Sequence, residues 1–509
     1  MRTLSPEFRG YSWAPSTEDI ARLAELDPVE VLRFDGNVAA APLPSSRPGT
    51  IAGALARVHT YPHGGYVDLV PAIARYAGVD PECVVLGAGA DDLILLTARA
   101  FAGPGDRVAI NEEPTYPLFA ISTWLAGAEV GDEDPVLTFT CRPNNPSGAL
   151  GALPDARPLA VDEAYFEYSG AGAVDLLDDD VIVIRTFSKA FGLAGARIGY
   201  ALARPDVARE LNARQSPAPV STLSAALAVA ALEAPPDVRP VLEERERLAS
   251  CLRALDLEPL TSQANFLFVP LEDAYGVSDR LLRQGIAVRP FENGIRVSIL
   301  DEADDDVLVQ ALARVLDRPS PVAAAGGRRA RHVRATSETR IRVRLALDGA
   351  GRVRVATGAG LYDHLLEQLA FHAGFDLLLE GVGDLETGPH HTAEDAALAL
   401  GEALDRALGD RRGIARFGDA VTPMDDALAR AAVDLGGRAA AEISLERDPG
   451  LARHMLASLG RTARLAIHVE ATGRDEHHVA EAAFKAVGRA LRAAVRLESV
   501  GIPSTKGRL

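Results

Sequence analysis

From residue 1 to about 316, short runs of β-branched residues alternate with alanine- and leucine-rich stretches of helical character. Val84-Val85-Leu86, Arg107-Val108-Ala109-Ile110 and Val181-Ile182-Val183-Ile184 are such runs. The alternation predicts strands interleaved with helices, an α/β layer structure. Asp304 to Leu316 predicts a closing helix. Residues 318–331, from Arg318-Pro319-Ser320-Pro321 through Gly326-Gly327 to Arg331, have little to bury and no period, and predict a linker. Beyond it, Arg340-Ile341-Arg342-Val343-Arg344-Leu345 alternates polar and apolar positions, as the opening strands of a second unit would. The expected organisation is a first domain over 1–317, a linker over 318–331 and a second domain over 332–509.

The second unit repeats itself. His390-His391-Thr392-Ala393-Glu394 heads an alanine- and leucine-rich helix running to Leu408, and His477-His478-Val479-Ala480-Glu481 heads another running to Val495. Ten of these nineteen positions are identical, which predicts a duplicated half-domain. A further histidine precedes each pair, His364 before the first and His454 before the second.

Composition narrows the class. A chain of 509 residues is too long for one ordinary core. Hydrophobic residues at 48% and charged residues at 24% fit a globular protein. No apolar run reaches the roughly eighteen residues of a membrane span. The polar stretch Met1 to Arg22, broken by Pro6 and Pro15, lacks a signal-peptide pattern. Cys83, Cys141 and Cys251 are scattered, which fits a reducing cytoplasm and rules out a cysteine-based zinc cluster. A net charge of -18 argues against nucleic acid as a partner.

Two skews point to chemistry. Among 53 basic residues only Lys189, Lys485 and Lys506 are lysines, and lysine can form a Schiff base where arginine cannot. Eight of the eleven histidines lie between His364 and His478.

Lys189 sits in Thr186-Phe187-Ser188-Lys189-Ala190-Phe191-Gly192, directly after the Val181–Arg185 run, where a lysine beside small residues can hold an aldehyde cofactor. Ser188 and Arg197 are placed to hold a phosphate. The run Leu159-Ala160-Val161 ends in Asp162, whose carboxylate can keep a pyridinium nitrogen protonated, and Tyr165 can hydrogen-bond the ring oxygen. These residues, together with Arg142-Pro143-Asn144-Asn145-Pro146-Ser147-Gly148 and Gly87-Ala88-Gly89-Ala90-Asp91-Asp92, resemble the fold-type I aminotransferases, and histidinol-phosphate aminotransferase most closely. The resemblance implies a mixed, mostly parallel sheet and pyridoxal 5'-phosphate. It implies that Asn145 contacts the ring oxygen and Tyr116 stacks on the ring. Ala90 and Asp91 give backbone amides to the phosphate at a helix start. Tyr61 reaches the partner subunit's cofactor, and Arg296 binds the substrate carboxylate or phosphate. Gly36-Asn37 stands where the family has a longer Asn-Glu-Asn-Pro stretch.

In the second unit, imidazole and carboxylate together suit first-row metals. On a helix the second histidine and the glutamate of His-His-x-x-Glu are three apart and share a face, with the first histidine about a third of a turn away. Two copies plus His364 and His454 supply three histidines and one glutamate for each of two metals. Thr357-Gly358 through Asp363-His364, both His-His-x-x-Glu motifs, Gly413 to Gly418, Gly437-Arg438 and Pro503-Ser504-Thr505-Lys506 closely resemble imidazoleglycerol-phosphate dehydratase. That resemblance implies an α+β domain of duplicated halves and two divalent metal ions, with manganese expected. The implied ligands are His364, His390, His391, Glu394, His454, His477, His478 and Glu481. Arg416, Arg438, Lys485, Ser504 and Lys506 would take the substrate phosphate, with Glu338, Gln368 and His372 near the substrate. Glu338, Glu481 and the Asp425-Asp426 region are the groups expected to move protons.

The two resemblances reinforce each other, since the dehydratase product, imidazole acetol phosphate, is the ketone a histidinol-phosphate aminotransferase consumes with glutamate, releasing 2-oxoglutarate. The expectation is a bifunctional cytoplasmic enzyme of histidine biosynthesis in a large homo-oligomer. The alternatives are a dehydratase joined to another pyridoxal-phosphate enzyme, such as a threonine-phosphate decarboxylase, or to a non-catalytic scaffold.

Overall fold

A computed structural model describes residues 14–26, 28–38, 53–62, 66–322, 328–349, 351–498 and 501. The chain divides into two compact units, Met1–Ala323 and Ala324–Leu509.

The first unit is built on a seven-stranded sheet. In order across it run Val84–Gly87, Gly199–Leu202, Val181–Thr186, Leu159–Asp162, Leu137–Cys141, Arg107–Ile110 and Glu129–Val130. Gly199–Leu202 runs antiparallel to both neighbours, and the others share one direction. The expected mixed, mostly parallel sheet is present. All six residues of Val181–Thr186 are buried: the apolar Val181–Ile184 suits a strand covered on both faces, and Arg185 is buried against Glu163. The parallel strands end together at Gly87, Cys141, Asp162 and Thr186, so the loops that follow them converge on one edge. A three-stranded antiparallel sheet, formed by Phe266–Pro270, Arg289–Phe291 and Gly294–Ser298, carries Arg296. The closing helix spans Glu302–Val315, with Asp301 accepting from the Asp304 amide at its start.

The second unit contains two four-stranded sheets. One orders Arg329–Ala335, Thr339–Ala346, Asp376–Gly383 and Val353–Ala356; the other orders Phe417–Met424, Ala427–Asp434, Ala466–Thr472 and Ala440–Leu445. Both follow the same sequence of pairings, antiparallel, antiparallel, then parallel. Inward and outward residues alternate along Thr339–Ala346 and Ala427–Asp434. The inward faces join the helices Gly360–Ala373, His390–Leu408, Ala452–Thr462 and Glu476–Ala494 in one core. The first strand begins at Arg329, within the stretch read from sequence as linker. No helix among the described residues is long and apolar enough to cross a membrane.

Two glycines in register in the repeat decide how the helices cross. A Cβ on Gly488 would lie 2.3 Å from the Leu369 carbonyl oxygen, and one on Gly401 would lie 2.6 Å from that of Leu459. The helix of the second repeat copy is thereby pressed against the helix that carries His364, and that of the first copy against the helix that carries His454.

Candidate active sites

In the first unit, Lys189 lies just beyond the end of Val181–Thr186 and points toward the loop at Gly36, whose carbonyl oxygen accepts from its Nζ at 3.3 Å. The ammonium stands 5.8 Å from the centre of the Tyr165 ring. Burial, then the charge of Arg296, pushes Lys189 down to about 8 against the pull of Asp91 and Asp162. Asp162 is 3% exposed, and the Ala164 amide donates to its Oδ1 at 3.0 Å. Burial raises this carboxyl to about 7. A buried acid so placed gains from a cationic ring nitrogen, which is the partner a protonated pyridine offers.

The residues expected to hold the phosphate also come together. The helix Ala90–Phe101 starts at Gly89 with φ 94° and no side-chain cap, leaving its first amides free for an anion. A Cβ at Gly89 would stand 2.7 Å from the mobile end of Arg197, and the φ of 94° is a conformation that side chains other than glycine's rarely adopt. Arg197 donates to Asp91 at 3.1 Å, and the Tyr116 hydroxyl donates to the other Asp91 oxygen at 2.8 Å. Asp91 thus brings a carboxylate as well as the expected amide. Ser188 is buried, its hydroxyl accepting from Thr186 at 3.0 Å. Arg296 donates to the Asn145 side chain and, at 2.7 Å, to the Asp35 carbonyl. Tyr61 is 89% exposed.

Asn37, read from sequence only as the remnant of a longer stretch and given no role, also reaches this site. Its side-chain amide donates to the Tyr165 hydroxyl at 3.1 Å, while Ser298 donates to its Oδ1 at 3.0 Å. It holds φ 49°, a conformation that asparagine tolerates better than most residues, and that tolerance was the available signal.

Among the described residues of the second unit, histidines and carboxylates form three groups able to hold a metal ion, two of them matched and the third made by His391, Glu338 and Asp384. His364, His477 and Glu481 make one matched cluster, and His390, His454 and Glu394 the other; within each, the ligating atoms lie within 4.8 Å of one another. His477 Nε2 is 3.4 Å and His364 Nε2 3.7 Å from the Glu481 carboxylate. His454 Nε2 is 3.2 Å and His390 Nε2 3.7 Å from that of Glu394. Each cluster combines one copy of the repeat with the upstream histidine of the other half. This follows from the glycine-mediated helix contacts.

The pairing corrects the sequence reading, which put the second histidine of each motif with the glutamate. At 100° per residue, a spacing of four returns to within about 40° and a spacing of three misses by about 60°. The first histidine therefore shares the face of Glu394 or Glu481. His391 and His478 lie outside both clusters and instead meet aspartates. His391 Nδ1 is 3.0 Å from Asp384 and 3.6 Å from Glu338; His478 Nδ1 is 2.6 Å from Asp426. These hydrogen bonds raise both imidazoles above the ordinary histidine range.

Lys485 donates to Glu481 at 2.7 Å and reaches the Met424 sulfur at 3.2 Å. Gln368 and His372 follow His364 at helical spacing of four and are half-buried. His372 lines a cleft of about 630 Å³ with Arg328 and Arg492. Burial, then Lys485 and Arg489, lowers its imidazole. Arg416 is held by Asp434 through two hydrogen bonds of 2.7 and 3.0 Å, and Arg438 is exposed. Ser504 and Lys506 lie outside the described residues.

The family model described as Imidazoleglycerol-phosphate dehydratase matches residues 357–491, and that described as Aminotransferase class I and II matches residues 131–312. The imidazoleglycerol-phosphate dehydratase of Salinispora arenicola is 49% identical over 201 residues, covering 36% of this chain and 99% of that protein. The crystal structure of histidinol-phosphate aminotransferase from Sinorhizobium meliloti in complex with pyridoxal-5'-phosphate matches with a TM-score of 0.55 at 26% identity, over 62% of this chain and 98% of its own. L-threonine-O-3-phosphate decarboxylase from Porphyromonas gingivalis matches with a TM-score of 0.51 at 20% identity, over 57% of this chain and 100% of its own, a likeness of fold alone.

Proposed function

We propose, from the premise that this chain belongs to the imidazoleglycerol-phosphate dehydratase family through its C-terminal unit and carries a fold-type I aminotransferase-like unit before it, that its two sites catalyse consecutive steps of histidine biosynthesis. The C-terminal site dehydrates imidazole glycerol phosphate to imidazole acetol phosphate. The N-terminal site transaminates that ketone with glutamate to L-histidinol phosphate. The observation that carries this reading is the presence, on one chain, of two matched histidine–glutamate clusters and a lysine–aspartate site, chemistries that meet at one ketone. A threonine-phosphate decarboxylase shares the first unit's fold but has no use for that ketone.

Pyridoxal phosphate, when bound, supplies an electron sink for moving an amino group. In this reading Lys189 provides the amine that holds the cofactor and carries a proton at its Nζ. Asp162 keeps the ring nitrogen protonated. Tyr165 and Asn145 face the ring oxygen, and Tyr116 covers the ring. Ala90 and Asp91 amides, Ser188 and Arg197 hold the phosphate, joined by Tyr61 from a second copy. Arg296 takes the substrate carboxylate or phosphate.

Divalent metals, manganese in this reading, when bound supply Lewis acidity and lower the pKa of coordinated water. His364, His477 and Glu481 hold one, and His390, His454 and Glu394 the other. His391 and His478 complete these centres from neighbouring copies in a large homo-oligomer. Arg416, Arg438, Lys485, Ser504 and Lys506 take the phosphate, Gln368 and His372 line the substrate, and Glu338 and Glu481 move protons. The two like-ordered sheets and the repeated glycine support descent of this unit from a duplicated half-domain.

The test separates the two sites. Lys189→Ala should abolish transamination and leave dehydration near the wild-type rate, while His391→Ala should do the reverse. Transamination by Lys189→Ala at the wild-type rate would refute the assignment of the first site.

A further inference from the structure

We propose that Asp384 and Asp426 are positioning residues that hold His391 and His478 by Nδ1 and thereby leave Nε2 as the metal-binding nitrogen. This rests on the reading of the two histidines as ligands.

A neutral imidazole carries its hydrogen on one nitrogen and a lone pair on the other. When Nδ1 donates to a carboxylate, Nε2 becomes the ligand atom, and the ring is fixed in the plane of that bond. His391 Nδ1 is 3.0 Å from Asp384 Oδ2, and His478 Nδ1 is 2.6 Å from Asp426 Oδ1. Glu338 is the second carboxylate near His391, at 3.6 Å from the same nitrogen. Asp425 is the second near His478, at 3.5 Å from Nε2, and is 66% exposed.

Both aspartates are themselves anchored, as a positioning group must be. Asp384 Oδ2 also accepts from the Thr387 hydroxyl at 2.9 Å. Asp426 Oδ2 accepts from the backbone amides of Arg474 at 2.7 Å and Asp475 at 3.2 Å. These last amides lie immediately before the helix that bears His478, so the carboxylate ties that helix start to the hairpin carrying Asp426.

The two aspartates are not copies of one another. Asp384 follows the strand Asp376–Gly383, the third in its sheet, whereas Asp426 lies in the hairpin between Phe417–Met424 and Ala427–Asp434, the first two strands of the other. The turn equivalent to that of Asp426 carries Glu338 in the first half, and Glu338 stands 3.6 Å from His391 Nδ1, while Asp384 makes the hydrogen bond at 3.0 Å. In both halves the same nitrogen of histidines in register in the repeat is held by an anchored aspartate, although that aspartate comes from a different loop in each.

The experiment measures manganese affinity and saturating stoichiometry of the full chain by equilibrium dialysis with elemental analysis. The variants are Asp384→Ala, Asp426→Ala, their asparagine counterparts, His391→Ala and His478→Ala. Loss of an outer carboxylate should weaken binding by about 10- to 100-fold with stoichiometry at saturation unchanged. Asparagine, whose carbonyl still accepts from Nδ1–H without the charge, should recover part of the loss. A purely structural role would not produce this ordering at an unchanged unfolding temperature. Alanine variants that bind within about twofold of wild type, while the histidine variants lose metal, would overturn the positioning role and leave the ligand reading intact. Histidine variants that retain full metal content would overturn the ligand reading and the proposal with it.

Discussion

Beneath Asp162 and Lys189, on the other face of the sheet, lies an ion pair whose removal has a calculable consequence. Glu163 and Arg185 sit at the ends of adjacent parallel strands, next to Asp162 and Thr186, with side chains 0% and 3% exposed. Arg185 Nε and Nη2 each lie 2.9 Å from Glu163 Oε2, the Ala173 amide donates to Oε1 at 2.6 Å, and the guanidinium lies 3.5 Å from the centre of the Phe166 ring. Glu163→Ala would leave a guanidinium that cannot lose its proton in an interior without its counter-charge. Breaking such a pair from one side costs about 3–5 kcal/mol, against a typical domain stability of about 5–15 kcal/mol. Trp124 lies in the helix Leu118–Ala126 of the first unit and the chain's other tryptophan, Trp13, also precedes the second unit in sequence, so tryptophan fluorescence during denaturant unfolding does not report the second unit. The expected result is a lowered midpoint for Glu163→Ala and a much smaller change for the double variant Glu163→Met/Arg185→Met, which removes both charges and keeps the volume. A loss under about 1 kcal/mol in the single variant, or an equal loss in both, would refute the argument.

Two further predictions concern the sites. Because burial and Arg296 bring Lys189 to about 8, its neutral, nucleophilic form should accumulate through that pH rather than near 10. The rate at which cofactor-free protein develops the imine absorbance with pyridoxal phosphate should therefore rise through about pH 8 and level off above it; a midpoint above about 9.5 contradicts this. Gly488→Ala should force the Glu476–Ala494 helix away from Leu369, costing about 1–3 kcal/mol and separating His364 from His477 and Glu481. Metal analysis should then show the loss of one equivalent, and full retention would argue against the helix contact as the organiser of that centre.

Much of this was legible in local sequence. The apolar run opening Val181–Thr186, the lysine after that strand, the aspartate ending Leu159–Asp162 and the glycine-rich start of Ala90–Phe101 are local features, and each local pattern carried its own chemistry. The histidine motifs were equally plain, but their grouping was not. Which histidine joins each glutamate depends on a difference of some 20° around the helix, and which halves combine depends on Gly401 and Gly488 meeting backbone far away in sequence. Asp384 was hidden for the same reason, and the Asp425-Asp426 region was read as moving protons rather than as anchoring an imidazole, because nothing local distinguishes an anchored carboxylate from a solvated one. Asn37 lies 128 residues from the tyrosine it contacts. The strand starting at Arg329 resembled a linker because its arginines alternate with small and polar residues. It lies at a sheet edge, where charged residues are compatible with a strand and discourage further pairing.

The central claim is that one chain performs successive steps through a shared ketone. The direct measurement supplies purified protein with imidazole glycerol phosphate, glutamate, manganese and pyridoxal phosphate, and follows products by mass spectrometry. The account predicts L-histidinol phosphate and 2-oxoglutarate in equal amounts, with imidazole acetol phosphate accumulating instead when glutamate is withheld. Accumulation of the ketone in the presence of glutamate, with no 2-oxoglutarate formed, would contradict it.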